Sequence, residues 1–241
     1  MKMLRSLCLL FMAVCLHAQA VTLVTEDYPP FNIVNPKNGE VTGMSTEKIR
    51  ILMQRAGEKY TINAYPWARS IQMAQNNPDT CVYSTSRTPG REQLYQWVGP
   101  LVKNNWVIFA RKDDLRHPKT LEDLRTYVIG TYRNDAIAEY FSLKGFNTEL
   151  ASIDADNPRK MLAGRFDFWA TGELLGWDIL KHQGLSKMVV QLFTFNQTEM
   201  YLACHDGMDK TKLDHWNQIL KDMEKDGTSA AIEKKYKNVN P

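Results

Sequence analysis

Short apolar runs alternate with segments of helical spacing along the first third of the chain. Apolar runs at Val21–Thr25 and Tyr60–Ala64 predict strands, and a third strand is predicted to begin at Thr80. Between the first two, the apolar residues at 49–53 recur at roughly helical spacing, so we expect a helix capped by Ser45. The order strand, helix, strand, helix, strand predicts a parallel α/β unit.

The remaining chain continues this alternation. Strands are predicted at 106–110, 127–131, 167–170, 188–192 and 200–204, and helices at 136–143 and 174–181. Two further helices are predicted near the end, separated by Gly227. A chain of this length accommodates one large or two medium α/β domains.

The first twenty residues have the pattern of a secretory signal peptide. Lys2 and Arg5 precede an apolar run at 7–16, and an Ala-Gln-Ala cleavage site follows at 18–20. The run is shorter than the roughly 20 residues that span a membrane. We therefore expect a soluble, exported protein whose signal peptide, residues 1–20, is cleaved after Ala20.

Composition narrows the classes of function. The 241 residues carry 30 basic and 27 acidic side chains, a formal charge of +3 to which Lys2 and Arg5 of the signal peptide contribute. A nearly neutral mature chain without a basic stripe argues against nucleic-acid binding. Beyond the neighbours Cys204 and His205, the mature chain has no Cys/His cluster, so no metal or cofactor is predicted.

Residues 80–100 contain the densest set of groups able to bind an anion. Hydroxyl side chains end the predicted strand, and a Pro-Gly turn separates them from Arg91. A guanidinium fork matches the two oxygens of a carboxylate, and the hydroxyls of Ser84 and Ser86 can complete the acceptor shell. The alternative is a solvated turn in which an arginine pairs with Glu92.

This stretch resembles the end of the first lobe in extracytoplasmic solute-binding proteins of family 3, which bind polar amino acids for ABC importers. The shared motif comprises Ser84, Ser86, Thr88, Arg91, Tyr95 and residues 97–100. The resemblance covers about residues 21–237. It implies an α/β, two-lobe periplasmic-binding-protein fold (type II) with two crossover strands. Residues 21–104 and 199–241 would form the first lobe, and residues 105–198 the second.

The resemblance also implies contacts from the first lobe to a ligand. In the family, the strand-end serines and the arginine grip the α-carboxylate, which here assigns Ser84, Ser86 and Arg91. The loop after the first strand offers Tyr28 and Phe31 as an apolar wall, or alternatively as plugs of the core. Trp67 faces either the core, which its size favours, or the cleft.

Two acids of the second lobe are candidates for holding a cationic group. Asp135 follows Asn134, which takes the place of a glycine in relatives, and it either caps the next helix or attracts an ammonium. The family's acid for the α-ammonium falls at Gly172 here, with Glu173 one position further on. Either Glu173 substitutes for it, or the ligand lacks an ammonium.

Two cysteines remain after the signal peptide is removed. Cys81 and Cys204 lie in strands that the resemblance places close together, and the periplasm is oxidising. We therefore expect a disulfide between them, and the alternative is a pair of buried free thiols.

The sequence thus predicts a binding protein rather than an enzyme. It would capture a small polar ligand, an amino acid or related carboxylate, by hinge closure for an inner-membrane ABC permease. One alternative is a sensor that reports its ligand to a membrane partner. Another is a dehydratase acting on prephenate-like acids, which requires an acid-base group such as Asp135 or Glu173 in the cleft.

Overall fold

The structure, a computed structural model, describes residues 20–237. The predicted signal peptide, apart from Ala20, and residues 238–241 lie outside this range. The strands are β1 (Val21–Thr25), β2 (Ile33–Val34), β3 (Val41–Thr42), β4 (Tyr60–Ala64), β5 (Thr80–Ser86), β6 (Gln96–Arg111), β7 (Val128–Tyr132), β8 (Asn147–Ala151), β9 (Phe168–Gly172) and β10 (Val189–Cys204). The α-helices are α1 (Met44–Ala56), α2 (Trp67–Asn76), α3 (Ala136–Leu143), α4 (Asn157–Leu162), α5 (Glu173–His182), α6 (Lys210–Lys225) and α7 (Thr228–Lys237). Over this described part of the chain, no helix is long and apolar enough to cross a membrane.

Two long antiparallel strands, β6 and β10, join two α/β halves. The main sheet has the order β4-β1-β5-β10-β6-β9-β7-β8. The end of β10 pairs with β5, and the second half of β6 pairs with β9, so each long strand belongs to both halves. This confirms the predicted two-lobe architecture with two crossover strands. The predicted lobe boundaries after Asn104 and after Thr198 face each other in the register of this pair, and the boundaries themselves stay a prediction.

The two predicted strands at 188–192 and 200–204 are a single strand. β10 runs unbroken from Val189 to Cys204, with register shifts against β6. Its middle section carries polar residues that are only partly buried, because it pairs along the crossover rather than inside either core. The sequence therefore lacks the continuous apolar run that would predict a single strand over residues 189–204.

Helix α1 begins against the loop that follows β1. The expected cap, Ser45, is wrong: the helix starts at Met44 behind Gly43, and no side chain caps it. The amides of Met44 and Ser45 instead donate to the carbonyls of Pro30 and Phe31 at 3.0 and 2.9 Å. Gly43 has φ 108°, and a Cβ there would lie 2.5 Å from the Phe31 carbonyl oxygen. This close approach fixes the loop that carries Tyr28 and Phe31 against the helix.

The C-terminal helices pack on the first half through a buried lysine. Lys48 of α1 is 1% exposed, and its Nζ donates to the Leu101 carbonyl at 2.6 Å and to Glu233 of α7 at 2.8 Å. A buried ammonium needs such partners because leaving it unpaired is costly. The chain therefore returns to the first half, as the family resemblance implied.

Cys81 and Cys204 form a disulfide, which confirms the expected pairing. They are directly opposite each other in the register of β5 and β10. Because 123 residues separate them in sequence, the bond ties the return of the second crossover strand to the sheet of the first half.

We predict that the double variant Cys81→Ala/Cys204→Ala lowers the free energy of unfolding by about 2–5 kcal/mol, because a long loop is released in the unfolded chain. Urea unfolding measures the difference. Dithiothreitol should lower the stability of the wild type by a similar amount and leave the double variant unchanged. If alkylation of denatured, unreduced protein adds two groups to the wild type, the disulfide assignment fails.

Candidate ligand-binding site

The chain segments that follow β1, β5 and β7 meet at a small cavity between the two halves, which we call the inner cavity. It is lined by Glu26, Tyr28, Trp67, Ser84, Ser86, Arg91, Tyr132, Asp135 and Met200. The carboxyl ends of parallel strands are where α/β folds usually bind ligands. The cavity volume accessible to the centre of a water molecule is about 10 Å³, which is room for about one water molecule. The two halves are therefore closed on each other.

Six of the eight predicted site residues lie on this cavity, and Phe31 and Glu173 do not. Phe31 is 1% exposed and packs behind Tyr28, with ring centroids 5.7 Å apart, so it belongs to the core. Glu173 accepts hydrogen bonds from Asn105 Nδ2 at 2.8 Å and Gln191 Nε2 at 2.9 Å, on the crossover strands. The one-residue displacement from Gly172 thus directs Glu173 away from the cavity.

Arg91 bridges the two halves. Its side chain is 5% exposed, and its Nε donates to both carboxylate oxygens of Glu139 at 3.2 and 3.1 Å. Its Nη2 donates to Glu139 Oε1 and to the Asn134 carbonyl, both at 2.8 Å. Both acceptors belong to the second half. Arg87 is different, because it is exposed, pairs locally with Glu92 at 2.5 Å and does not line the inner cavity.

Trp67 faces both the core and the cleft between the halves. It is 6% exposed and packs in a core cluster with Tyr132, yet it also lines the inner cavity. Its Nε1 donates to the Asn134 carbonyl at 2.8 Å, the same oxygen that accepts from Arg91. Asn134 has φ 60°, the left-handed conformation expected where relatives have glycine. This turn therefore receives two donors from the first half.

Two half-buried acids from opposite halves share the inner cavity. Asp135 accepts from the amide of Ile137 at 3.0 Å and caps α3, as expected. Burial raises the pKa of Asp135 to about 7, although the nearby charge of Arg91 opposes this shift. Burial also raises the pKa of Glu26 well above its usual range, while Tyr132 Oη donates to Glu26 Oε1 at 3.0 Å.

A third acid, Asp154, lies in the second half close to this pair. It accepts hydrogen bonds from Trp169 Nε1 at 2.8 Å, from Asn157 Nδ2 at 2.7 Å and from the Thr171 hydroxyl. Burial raises the pKa of Asp154 to about 6 despite these donors. Its charge in turn contributes to the raised pKa values of Glu26 and Asp135.

Tyr28 occupies the space beside Gly172, the position at which the family resemblance implies an ammonium-binding acid. A Cβ at Gly172 would lie 2.3 Å from Tyr28 Oη, so position 172 has no room for a side chain in this arrangement. Tyr28 Oη accepts from Asn104 Nδ2 at 3.1 Å. The cavity thus presents a phenol and the acids Glu26 and Asp135 where the family pattern has a single carboxylate.

The two strand-end serines differ in their contacts. Ser84 has φ 60°, and its hydroxyl donates to Asn32 Oδ1 at 2.8 Å. Asn32 in turn donates to the Thr25 hydroxyl at 2.7 Å, which ties the end of β5 to the loop after β1. Ser86 is buried on the inner cavity beside Arg91.

Three further residues line the cavity without having been predicted from the sequence: Glu26, Tyr132 and Met200. Glu26 directly follows β1, so the rule that singled out Tyr28 on the same loop also applied to it. Tyr132 ends β7 in the same manner. The pairing of Glu139 with Arg91 has no local signal, because the two residues are 48 positions apart.

The two α/β halves and the paired crossover strands define a two-lobe protein of the periplasmic-binding-protein fold. Three similar solved structures are a histidine kinase sensor domain, an ancestral arginine-binding protein bound to arginine, and an ancestral amino-acid-binding protein that is a precursor of cyclohexadienyl dehydratase. Their TM-scores are 0.83, 0.78 and 0.75, and their identities to this chain are 22%, 20% and 22%. The alignments cover 90%, 91% and 90% of this chain and 96%, 99% and 94% of those chains.

The family follows from the sequence match. Residues 21–239 match the bacterial extracellular solute-binding proteins, family 3, and the chain belongs to this family. No curated protein matches the chain. At identities of 20–22%, the three structural likenesses above establish the fold alone.

We predict that the free energy of unfolding falls as pH rises from about 4 to about 7, because Asp135 has a raised pKa in the folded protein and an ordinary one in the unfolded chain. The folded protein then binds more protons across this window. Asp135→Asn keeps the helix cap and removes the titrating group, so it should flatten the slope and stabilise the protein by about 1–2 kcal/mol at pH 8.

Urea unfolding at pH 5 and pH 8 measures this effect. Asp209→Asn is the matched control, since Asp209 caps α6 through the amide of Thr211 at 2.8 Å and does not line the inner cavity. The control should keep the slope of the wild type. If the free energy of unfolding of Asp135→Asn depends on pH as strongly as that of the wild type, the raised pKa of Asp135 is contradicted.

Proposed function

We propose that this protein is an exported, periplasmic solute-binding protein that captures a small amino-acid-like ligand between its halves for an inner-membrane ABC permease. One observation carries the proposal: a buried guanidinium with strand-end hydroxyls shares one cavity with two acids. An arginine and a carboxylic acid at a common site are complementary to the carboxylate and the ammonium of a zwitterion.

The carboxylate of the ligand is assigned to Arg91 and Ser86. Arg91 is buried on the cavity wall, and Ser86 follows on the same side at the end of β5. A carboxylate there would receive charge-assisted hydrogen bonds, which are stronger than those between neutral groups. Trp67 and Tyr28 supply apolar and aromatic surface beside it.

The ammonium is assigned to Glu26 and Asp135, not to Glu173. Glu26 and Asp135 line the inner cavity, whereas Glu173 accepts its hydrogen bonds from Asn105 and Gln191 on the crossover strands. A cation between the two acids would stabilise their charged forms and draw the halves together. This arrangement supports a ligand that carries an ammonium, although position 172 is a glycine.

Binding requires the halves to separate. An inner cavity with room for about one water molecule cannot admit an amino acid. Opening about the paired crossover strands would expose both sets of groups, and closure would then join them on the ligand. Export, delivery to a permease and this hinge motion are parts of the same proposal.

A second candidate function is that of a ligand sensor. The similar histidine kinase sensor domain has the same fold over 96% of its length, which supports keeping this role.

A third candidate, a dehydratase, would use the raised pKa of Asp135 or Glu26 for acid-base chemistry. Uptake of labelled ligand in cells with and without the protein separates importer from sensor, and turnover of prephenate-like acids would indicate the enzyme.

The proposed ligand class is tested by a thermal-shift screen of the common L-amino acids beside their deaminated carboxylic acids. We expect at least one amino acid to raise the melting temperature more than its deaminated analogue does. The proposal is overturned if simple carboxylic acids stabilise the protein and every amino acid fails.

We predict that Arg91→Ala weakens binding of the amino acid found by the screen at least about 30-fold, because losing a buried partner of a charged pair costs about 2–5 kcal/mol. Isothermal titration calorimetry measures the loss. Arg87→Ala is the control, because Arg87 pairs locally with Glu92 outside the inner cavity. Near wild-type affinity in a folded Arg91→Ala protein would refute the assigned role.

We predict that Glu26→Gln weakens binding of the amino acid by roughly 30-fold, because the ammonium loses one of its two acids, and changes binding of the deaminated analogue little. Glu173→Gln is the matched control and should change neither, since Glu173 contacts Asn105 and Gln191 instead. Calorimetry with both ligands measures the pattern. The reverse ranking of the two variants would restore Glu173 as the ammonium acceptor.

A further inference from the structure

We infer that Glu139 is a built-in competitor for the carboxylate of the ligand. In the closed arrangement it holds the edge of the Arg91 guanidinium that a ligand carboxylate needs, so the ligand must displace it. The inference rests on the proposed function, because it takes Arg91 as the group that binds the carboxylate. It adds a residue of helix α3 that sets how tightly and how selectively carboxylates bind.

The geometry of the Arg91–Glu139 pair is that of a bound carboxylate. Nε and Nη2 form one edge of the guanidinium, and both donate to the Glu139 carboxylate at 2.8–3.2 Å. This two-point contact is the fork geometry by which arginine recognises free carboxylates. Nη2 also donates to the Asn134 carbonyl. A second carboxylate cannot use the same edge while Glu139 is in place.

The pair stands between the inner cavity and a much larger groove. Arg91 lines the inner cavity, whereas Glu139 lines a solvent-open groove of about 1280 Å³ between α3 and the crossover strands. Glu139 does not line the inner cavity, and Arg91 does not line the groove. Opening of the halves would separate the two side chains, exposing Arg91 to a ligand and Glu139 to the groove. Closure without a ligand carboxylate would bring Glu139 back onto Arg91.

The two partners differ in how easily they leave each other. The Glu139 side chain is 39% exposed, while that of Arg91 is 5% exposed. Glu139 can turn into the groove and be solvated at little cost, but a buried guanidinium left without an anion is strongly destabilised. The exchange that preserves a paired Arg91 is replacement of Glu139 by another carboxylate.

The inference is tested with phenylglyoxal, which modifies accessible arginines, and with acetate as the simplest carboxylate probe. Peptide mass spectrometry follows modification of Arg91 in the full chain without added ligand. In Glu139→Gln the closed state loses its charged partner, so Arg91 should react at least roughly fivefold faster than in the wild type. Acetate at constant ionic strength should slow this reaction more in Glu139→Gln than in the wild type.

Glu122→Gln is the matched control. Glu122 accepts from Nε and Nη2 of Arg125 at 2.9 and 3.0 Å, the same two-point geometry, but both residues belong to the second half. This variant should leave the modification rate of Arg91 unchanged. Circular dichroism establishes that each variant is folded, and Glu139→Asp, which keeps the charge, should react at a rate between the wild type and Glu139→Gln.

The outcomes separate this inference from the proposed function. Equal Arg91 rates in the wild type and folded Glu139→Gln, or stronger protection by acetate in the wild type, would overturn the role of Glu139. Faster modification with stronger acetate protection in Glu139→Gln supports it. If that pattern holds while every amino acid fails in the thermal-shift screen, the competitor role stands and the amino-acid assignment falls.

Discussion

The closed arrangement depends on one constraint: a guanidinium buried between two α/β halves must be neutralised from the opposite side. Arg91 comes from the first half, and its acceptors, Glu139 and the Asn134 carbonyl, come from the second. Trp67 donates to the same carbonyl, so the turn before α3 is held by two side chains of the first half. Because an unpaired buried charge is expensive, the halves can separate only if Arg91 gains water or another anion. The Arg91 side chain therefore governs closure, and under the proposed function it also recognises the ligand carboxylate.

Paired crossover strands, a disulfide and a buried ion pair form the frame around Arg91. β6 and β10 are 16-residue strands that belong to both halves. Their register shifts flank an uninterrupted stretch, residues 196–200 against 102–106, in which the predicted lobe boundaries meet. The disulfide fixes the end of β10 to β5, and Lys48 ties α1 to the returning C-terminal helix. These bonds lie in the first half. A bend of the crossover strands would thus leave the first half intact while the second half moves.

Sequence patterns predicted the parts of the molecule whose causes are local. β1, β4 and α3 have the predicted bounds, because an apolar run or an aspartate cap lies within a few residues of each end. The sequence pattern predicts two strands where β10 is one, because the polar middle of β10 pairs along the crossover and buries little surface. Several cavity residues are predictable because α/β folds bind ligands at the carboxyl ends of their strands. Glu26 directly follows β1 and obeys the same rule, although it was not predicted. Glu173 is a candidate because it follows Gly172, the family position of the ammonium-binding acid, and its side chain bonds to Asn105 and Gln191 instead. The pairing of Arg91 with Glu139 depends on how the halves dock, which no local pattern encodes.

The charges of the inner cavity have a consequence for how a zwitterion would bind. Glu139 already balances Arg91, and burial favours the neutral forms of Glu26 and Asp135. A ligand that brings both a carboxylate and an ammonium changes this balance in two linked ways. Its carboxylate would replace Glu139, which would move into the solvent-open groove as a hydrated anion. Its ammonium would stabilise the charged forms of the two acids, so their pKa values would fall and protons would be released on binding. A carboxylate without an ammonium would gain the first exchange but not the second, so under the proposed function an amino acid should bind more tightly than its deaminated analogue.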